Sequence, residues 1–244
     1  MFDHVTIRAS DRAASERFYA TVLATLGIAQ RYRDEQFTEW EQDFSLAVPD
    51  DEHPVTRGLH IAWSAPSRAQ VEAFWQAGVD AGFRDDGAPG PRPEYGDDYY
   101  GGFLLDPDGN SAEAVHFDGK EKPLGIDHLW IRVADLPAAR AFYVTIAPHA
   151  GIRLGDDTPE RVQFRRDRGS FSLIADDRPH TEHLHMAFGA AENAAVDAFH
   201  AAAVGAGYRD FGAPGERPVY HDGYYAAFLL DPDGNNVEVV NHNR

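Results

Sequence analysis

The chain carries one pattern twice, and a duplicated sequence must fold into two copies of one structure. Asp3-His4-Val5-Thr6-Ile7 returns as Asp127-His128-Leu129-Trp130-Ile131 at an offset of 124. Gly87 to Tyr95 matches Gly212 to Tyr220, and Phe103 to Asn110 (Phe-Leu-Leu-Asp-Pro-Asp-Gly-Asn) recurs unchanged at Phe228 to Asn235, both at an offset of 125. Self-similarity on this scale marks a tandem duplication. With 244 residues in all, each copy has about 120, enough for an apolar core of its own. The expected division is a first domain over residues 1–119, a second over 126–244 and a linker at 120–125, since Asp118-Gly119-Lys120-Glu121-Lys122-Pro123 is polar and ends in proline.

Within each copy the apolar residues switch between the period of a strand and that of a helix. Residues 3 to 9 alternate as a strand, and Ala14, Phe18, Val22 and Leu26 form one stripe of a helix over 11 to 26. Phe44 to Val48 and Gly58 to Trp63 read as strands, Ser67 to Ala81 as a helix, and 99 to 105 with 111 to 117 as a hairpin. Between the hairpin strands, Asp106-Pro107-Asp108-Gly109-Asn110 puts proline where a φ of about −65° is wanted and Gly-Asn where positive φ is tolerated. A strand, a helix and several strands, followed by the same again, predict an α+β fold.

There is no cysteine, so disulfides, thiolate nucleophiles and zinc–thiolate sites are excluded. Any metal must be held by nitrogen and oxygen. The formal charge of −18 would repel a phosphate backbone and an anionic bilayer surface, which argues against nucleic acid and membrane as partners. No apolar run approaches the roughly 20 residues needed to span a bilayer. The opening Met1-Phe2-Asp3-His4 has neither the basic nor the apolar segment of a secretory leader. The cytoplasm is the expected location, and a monomer or homodimer the expected assembly.

Three metal-ligating side chains recur with the repeat. His4, His60 and Glu113 are 56 and 53 positions apart, and His128, His185 and Glu238 are 57 and 53 apart. Two imidazoles and one carboxylate are a common ligand set for a divalent cation with open coordination positions. Strand parity aims all of them one way, because residues i−1 and i+1 face opposite to residue i. Val5 and Ile7 flank the face opposite His4, Leu59 and Ile61 that opposite His60, and Ala112 and Ala114 that opposite Glu113. Leu129 and Ile131, Leu184 and Met186, and Val237 and Val239 do the same in the second copy. One such histidine alone would more simply be a hydrogen-bonded strand residue. Inward polar residues at matching spacings in both copies favour a metal.

The opening strand with its His, the Phe-Tyr of the first helix, the Leu-His-Ile/Met-Ala strand and the Asp-Pro-Asp-Gly-Asn turn followed by a strand Glu resemble the vicinal oxygen chelate superfamily. Its members include glyoxalase I, fosfomycin-resistance thiol transferases, bleomycin-binding proteins and extradiol dioxygenases. The resemblance implies tandem βαβββ modules in two glyoxalase-like domains, each a curved open barrel around a cup. It also implies a divalent metal (Mn, Fe(II), Zn, Ni or Mg) on the residues above. Each site would be built within one copy, or by exchange, with His4 joining His185 and Glu238 and His128 joining His60 and Glu113. The sequence leaves both open.

The chemistry implied first is glyoxalase-like isomerisation or lysis of a small oxygen-chelating substrate, with Glu113 or Glu238 moving a proton between carbons. Extradiol ring cleavage comes second. It would want a Tyr ten residues before the ligand Glu, and Phe103 and Phe228 stand there. A non-enzymatic binder of a drug or metabolite, in the manner of the bleomycin-resistance proteins, is the third reading. A phosphonate substrate fits poorly among Asp85, Asp86, Asp97 and Asp98. Candidate pocket residues are Thr6, Arg92, Tyr99, Trp130, Arg217, His221 and Tyr224. Thr6 against Trp130 suggests diverged pockets, the one containing Thr6 taking the larger ligand, and His221 has only Gly96 as its counterpart. Histidine ligation predicts a metal affinity that declines as pH falls through roughly 6.5.

Overall fold

The computed structural model describes residues 2–41 and 43–244. Among them the chain runs through four βαβββ modules in succession. The first comprises β1 (His4–Arg8), α1 (Arg12–Thr25), β2 (Gln30–Arg33), β3 (Phe37–Trp40) and β4 (Phe44–Ala47). The second comprises β5 (His60–Ser64), α2 (Arg68–Asp80), β6 (Arg84–Pro91), β7 (Tyr99–Leu105) and β8 (Ser111–Phe117). The third comprises β9 (Ile126–Arg132), α3 (Leu136–Ala150), β10 (Arg153–Asp157), β11 (Arg161–Arg165) and β12 (Ser170–Ile174). The fourth comprises β13 (His185–Gly189), α4 (Asn193–Gly205), β14 (Arg209–Glu216), β15 (Tyr225–Leu230) and β16 (Asn236–Asn241). Hydrogen bonding orders the strands as β14-β15-β16-β13-β1-β4-β3-β2 and β10-β11-β12-β9-β5-β8-β7-β6, two open sheets of eight. The predicted α+β architecture of tandem modules is therefore present.

The helices start where the sequence supplies a cap. Asp11 and Asp135 each accept from the backbone N–H three residues on, as does Ser67, satisfying donors that a helix start leaves unpaired. The left-handed backbone of Gly151, at φ 65°, closes α3. Each helix lays its apolar stripe on strands of its own unit. Among the described residues no helix is long and apolar enough to cross a membrane.

Contacts divide the chain into two compact units: Thr6–Leu129, and the opening residues through Val5 together with Trp130–Arg244. The first unit packs Phe18, Tyr19, Trp40, Phe44 and Trp63, all 1% exposed or less. The second packs Phe142, Tyr143, Phe164, Phe171 and Phe188, each fully buried. Burying one such side chain contributes about 1.5–3 kcal/mol before entropy is counted. Each core sits on the strand face opposite the ligand candidates, as alternation requires: Val5, Leu59, Ile61, Ala112 and Ala114 are 1% exposed or less, and so are Leu129, Leu184, Met186, Val237 and Val239.

The Asp-Pro-Asp-Gly-Asn turn is a clamp. Asp106 Oδ1 accepts from the N–H groups of Asp108 and Asn110, and Asp106 Oδ2 accepts from Tyr19 Oη at 2.9 Å and Asn110 Nδ2 at 3.1 Å. Asn110 Oδ1 accepts from the N–H of Leu59 at 3.1 Å, so the turn pins the entry to β5 immediately before His60. Asp231, Tyr143, Asn235 and Leu184 repeat the arrangement before His185. Gly109 and Gly234, each at φ 86°, supply the left-handed residue the turn needs.

Candidate metal centres

The clamp fixes two parallel strand pairs, β5 beside β8 and β13 beside β16. In register, Ala62 pairs with Glu113 and Ala187 with Glu238, which sets each Glu one step from the strand histidine of its unit. A third strand brings the last imidazole. The unit Thr6–Leu129 thereby gathers His60, Glu113 and His128, and the other unit gathers His4, His185 and Glu238. Of the two pairings open from sequence, the protein has the exchanged one: each triad combines ligands from both copies of the repeat.

Six residues from strands scattered over the sequence converge on two small spaces. In one, His4 Nε2 lies 3.0 Å from His185 Nε2 and 3.5 Å from Glu238 Oε2, while His185 Nε2 is 3.1 Å from that oxygen. In the other, Glu113 Oε2 lies 3.0 Å from His60 Nε2 and 3.6 Å from His128 Nε2. Nitrogen and oxygen ligands about 2.1 Å from a cation stand roughly 3.0 Å apart at right angles and about 3.4 Å apart at tetrahedral angles. The donor sets fit a divalent cation on this test. Five of the six are buried, Glu113 fully, Glu238 at 1% exposure and His60, His128 and His185 below 9%, while His4 is half-buried.

The atoms behind the ligands orient them. Asp3 Oδ1 accepts from His4 Nδ1 and Asp127 Oδ1 from His128 Nδ1, both at 2.9 Å. His60 Nδ1 donates to Ser111 Oγ at 3.1 Å, and that hydroxyl donates to Asp86. A protonated Nδ1 leaves Nε2 to face the centre, the tautomer a metal ligand needs. The second carboxylate oxygens are held by phenols: Tyr99 Oη donates to Glu113 Oε1 and Tyr224 Oη to Glu238 Oε1, each at 2.6 Å.

These contacts displace the acid–base equilibria. Burial, the largest influence on Glu238, would raise its pKa, but hydrogen bonds and charge from His185 and His4 bring it down to about 2. Burial likewise opposes the charged form of His4, yet the hydrogen bonds and charges of Asp3 and Glu238 prevail and raise it to about 10. In the metal-free triad a proton serves as the counter-charge that a cation would supply. Burial, and then the neighbouring carboxylates, push both Tyr99 and Tyr224 far above the ordinary phenol range, so these hydroxyls stay protonated and act as donors.

The remaining pocket candidates lie as follows. Arg92 donates to the carbonyls of Ala88 and Pro91 and covers the Phe103 ring at 5.1 Å; that ring is 6.0 Å from His60. Arg217 repeats this over Phe228, whose ring is 6.4 Å from His185. Thr6 Oγ1 is hydrogen-bonded to Ser45 Oγ at 2.7 Å. Trp130 is half-buried on β9. His221 meets His242, at 2.9 Å. Sequence reasoning missed Asp3 and Asp127 as orienting groups, although the repeated Asp-His dipeptide was their signal. It also missed Lys122, which lies outside the repeat, and His242, which stands where the first copy has Phe117.

The family model of the Glyoxalase/Bleomycin resistance protein/Dioxygenase superfamily matches residues 1–114 and again 125–239. The chain belongs to this superfamily. Among solved structures, glyoxalase I from Zea mays aligns over 99% of this chain and 92% of that one, at 19% identity and a TM-score of 0.73. A single-residue variant of the same maize enzyme gives 20% identity at the same TM-score, again over 99% and 92%. A glyoxalase/bleomycin resistance protein from Albidiferax ferrireducens is 28% identical over 47% of this chain and 96% of that one, with a TM-score of 0.42. No match was found among curated protein sequences. At such identities the maize structures establish a shared fold.

Proposed function

We propose that this superfamily member is a divalent-metal-dependent enzyme of glyoxalase type, an isomerase or lyase acting on a small substrate with oxygens on adjacent carbons. The observation that carries the reading is the convergence, in each unit, of two imidazole nitrogens and a carboxylate oxygen at the spacing a cation demands. A cation held there supplies positive charge that polarises substrate oxygen. His4, His185 and Glu238 would hold one, and His60, Glu113 and His128 the other.

The chain's own groups supply the proton chemistry. Glu238 is ionised throughout the neutral range, the state in which a base must begin, and its two oxygens have separate partners. Tyr224 steadies Oε1 while Oε2 faces the imidazoles. A carboxylate so placed can take a proton from one substrate carbon and return it to the next, with the phenol restoring its orientation. Phe103 and Phe228 add apolar surface beside His60 and His185, which suits a small substrate with a hydrocarbon part.

A second reading, extradiol ring cleavage, gains from one observation. The proton-bearing phenol absent at Phe103 and Phe228 is provided by Tyr99 and Tyr224, fourteen residues before the ligand Glu. Elemental analysis of the purified chain, alongside His60→Ala and His185→Ala, separates the readings. Stoichiometric Mn, Ni, Zn or Mg, lost in part from each variant, supports the isomerase or lyase. Bound Fe(II) supports ring cleavage. A metal-free chain with intact fold would overturn both and leave a small-molecule binder.

A further inference from the structure

The second copy carries two histidines where the first has none. At the offset of 125, His221 stands where the first copy has Gly96 and His242 where it has Phe117. The fold brings the two rings together: His221 Nε2 lies 2.9 Å from His242 Nδ1, with 5.1 Å between ring centroids at 16°. The ligand pair His4 and His185 has nearly the same geometry, 3.0 Å between Nε2 atoms and 5.1 Å between centroids at 34°. Nitrogens about 2.1 Å from a cation stand roughly 3.0 Å apart at right angles, so the spacing met by the two centres is met here as well.

Each ring is also held from behind. His221 Nδ1 donates to the carbonyl oxygen of Asp222 at 2.8 Å, and His242 Nε2 to Asp3 Oδ2 at 2.9 Å. A ligating histidine characteristically gives its other ring N–H to a carbonyl or a carboxylate, which fixes the ring and leaves the remaining nitrogen for the metal. Asp3 serves two rings in this way, His4 through Oδ1 and His242 through Oδ2. Tyr224 lies 5.2 Å from both imidazoles, steeply inclined to each, and limits how far they can turn. The first copy offers nothing comparable. Phe117 has no nitrogen, and Asp127 Oδ2 accepts from Lys122 at 2.6 Å instead.

The pair stands apart from the buried centres. The His242 side chain is 31% exposed and His221 is half-buried, so water can reach a bound ion. Among the described residues no third imidazole or carboxylate converges with the two facing nitrogens. A site made of two imidazoles and water discriminates by donor type. Imidazole suits Cu²⁺, Ni²⁺ and Zn²⁺, with Cu²⁺ at the top of the affinity order, whereas Mn²⁺ and Mg²⁺ favour oxygen. We propose that His221 Nε2 and His242 Nδ1 chelate a divalent ion of the late first row, Cu²⁺ above all, at a rim site distinct from the His4, His185, Glu238 centre and linked to it by the carboxylate of Asp3. The site does not rest on the function proposed above, since its ligands belong to neither triad.

The test counts ions and then locates them. Native mass spectrometry at neutral pH follows Cu²⁺ uptake by the intact chain, by His221→Gly and by His242→Phe, each of which installs the residue the first copy carries. The intact chain should take up one Cu²⁺ more than either variant. By calorimetry that increment should weaken by at least the roughly 10–100-fold that follows loss of a group merely orienting a ligand. The difference between chains is read whatever the two centres do, so centres that stay empty would fail the proposed function and still leave the pair tested. In the second arm, diamagnetic Zn²⁺ is titrated into the intact chain carrying ¹⁵N-labelled histidine, and this arm decides if a variant misfolds. Saturable shifts at His221 Nε2 and His242 Nδ1 are expected. Equal Cu²⁺ counts in three folded chains, or ring nitrogens that Zn²⁺ leaves unmoved, would overturn the site and leave the pair as a hydrogen bond alone. Mn²⁺ uptake should be the same in all three chains, and a fall with loss of either histidine would overturn the imidazole-only assignment.

Discussion

The hydroxyl of Tyr224 lies 2.6 Å from Oε1 of Glu238, and Tyr99 stands in the same relation to Glu113. Glu113 and Glu238 pair across the hairpin with Phe103 and Phe228, and each phenol reaches its carboxylate from four residues earlier, at the end of the hairpin away from the turn. A charge-assisted bond of this kind holds the ligand oxygen in place at no cost in flexible side chain.

Removing that phenolic oxygen should therefore loosen the metal and leave the fold intact. Tyr224→Phe and Tyr99→Phe are each expected to weaken cation binding at their own centre by about 10–100-fold, the usual effect of losing a group that orients a ligand. Titration calorimetry with Mn²⁺ checks this, and an unchanged dissociation constant in both variants would assign the tyrosines to packing alone.

The two centres should load independently. Glu238→Gln and Glu113→Gln keep shape and remove the anionic donor, so each is expected to lower metal content from two ions per chain to one, and the double variant to none. Mass spectrometry under native conditions counts the ions directly. Thermal stabilisation should fall in step, since a ligand at a hundred times its dissociation constant contributes about 2.7 kcal/mol.

The metal-free protein should lose stability on the alkaline side. His4 is raised from 6.5 to about 10, so its folded-state proton stabilises the native form fully below pH 6.5 and progressively less as pH rises to about 10. Glu238, depressed to about 2, contributes above pH 4.5, and that contribution drains away as pH falls toward 2. Melting temperatures of the apo chain from pH 6.5 to 10 should decline more steeply than those of His4→Gln. The same retained proton must leave when a cation binds, so affinity should go on rising well past pH 6.5, above the range that free imidazole would give.

The turn clamp predicts a stability effect away from the ligands. Asn110 is 1% exposed and bonds Leu59, Thr56 and Asp106. Asn110→Ala strands at least one buried donor, which costs about 1–3 kcal/mol. Urea denaturation followed by tryptophan fluorescence would show it as a lowered midpoint, and Asn235→Ala should behave likewise in the other unit.

How much of this was readable from residues alone depended on the element. The ligand strands announced themselves because their flanking residues are apolar on one face and the whole pattern is written twice. β6, Arg84–Pro91, did not: Arg-Asp-Asp-Gly-Ala-Pro-Gly-Pro has the composition of a loop and becomes a strand only by pairing, with irregular register, to β7. β2, Gln30–Arg33, is exposed along its length and gives no alternation to detect. The choice between pairings was invisible because His4 and His128 have the same local surroundings, and only tertiary contacts decide which carboxylate each one meets. Tyr99 and Tyr224 read as ordinary strand aromatics, since nothing local says that a phenol will find a carboxylate across the hairpin. Lys122 lies in the linker, outside the repeat, and His242 stands where the first copy has Phe117, so duplication offers no matching residue for either.

The exchange of ligands also sets an order of events at the ribosome. His60, Glu113 and His128 are all present once residue 128 has emerged, so that centre can close while the second copy is still being made. His4 precedes Glu238 by 234 residues, and at 5–20 residues per second about 10–50 seconds separate them. Until β13 has been made, β1 waits without the edge it will join, and the centre it completes closes after the other one.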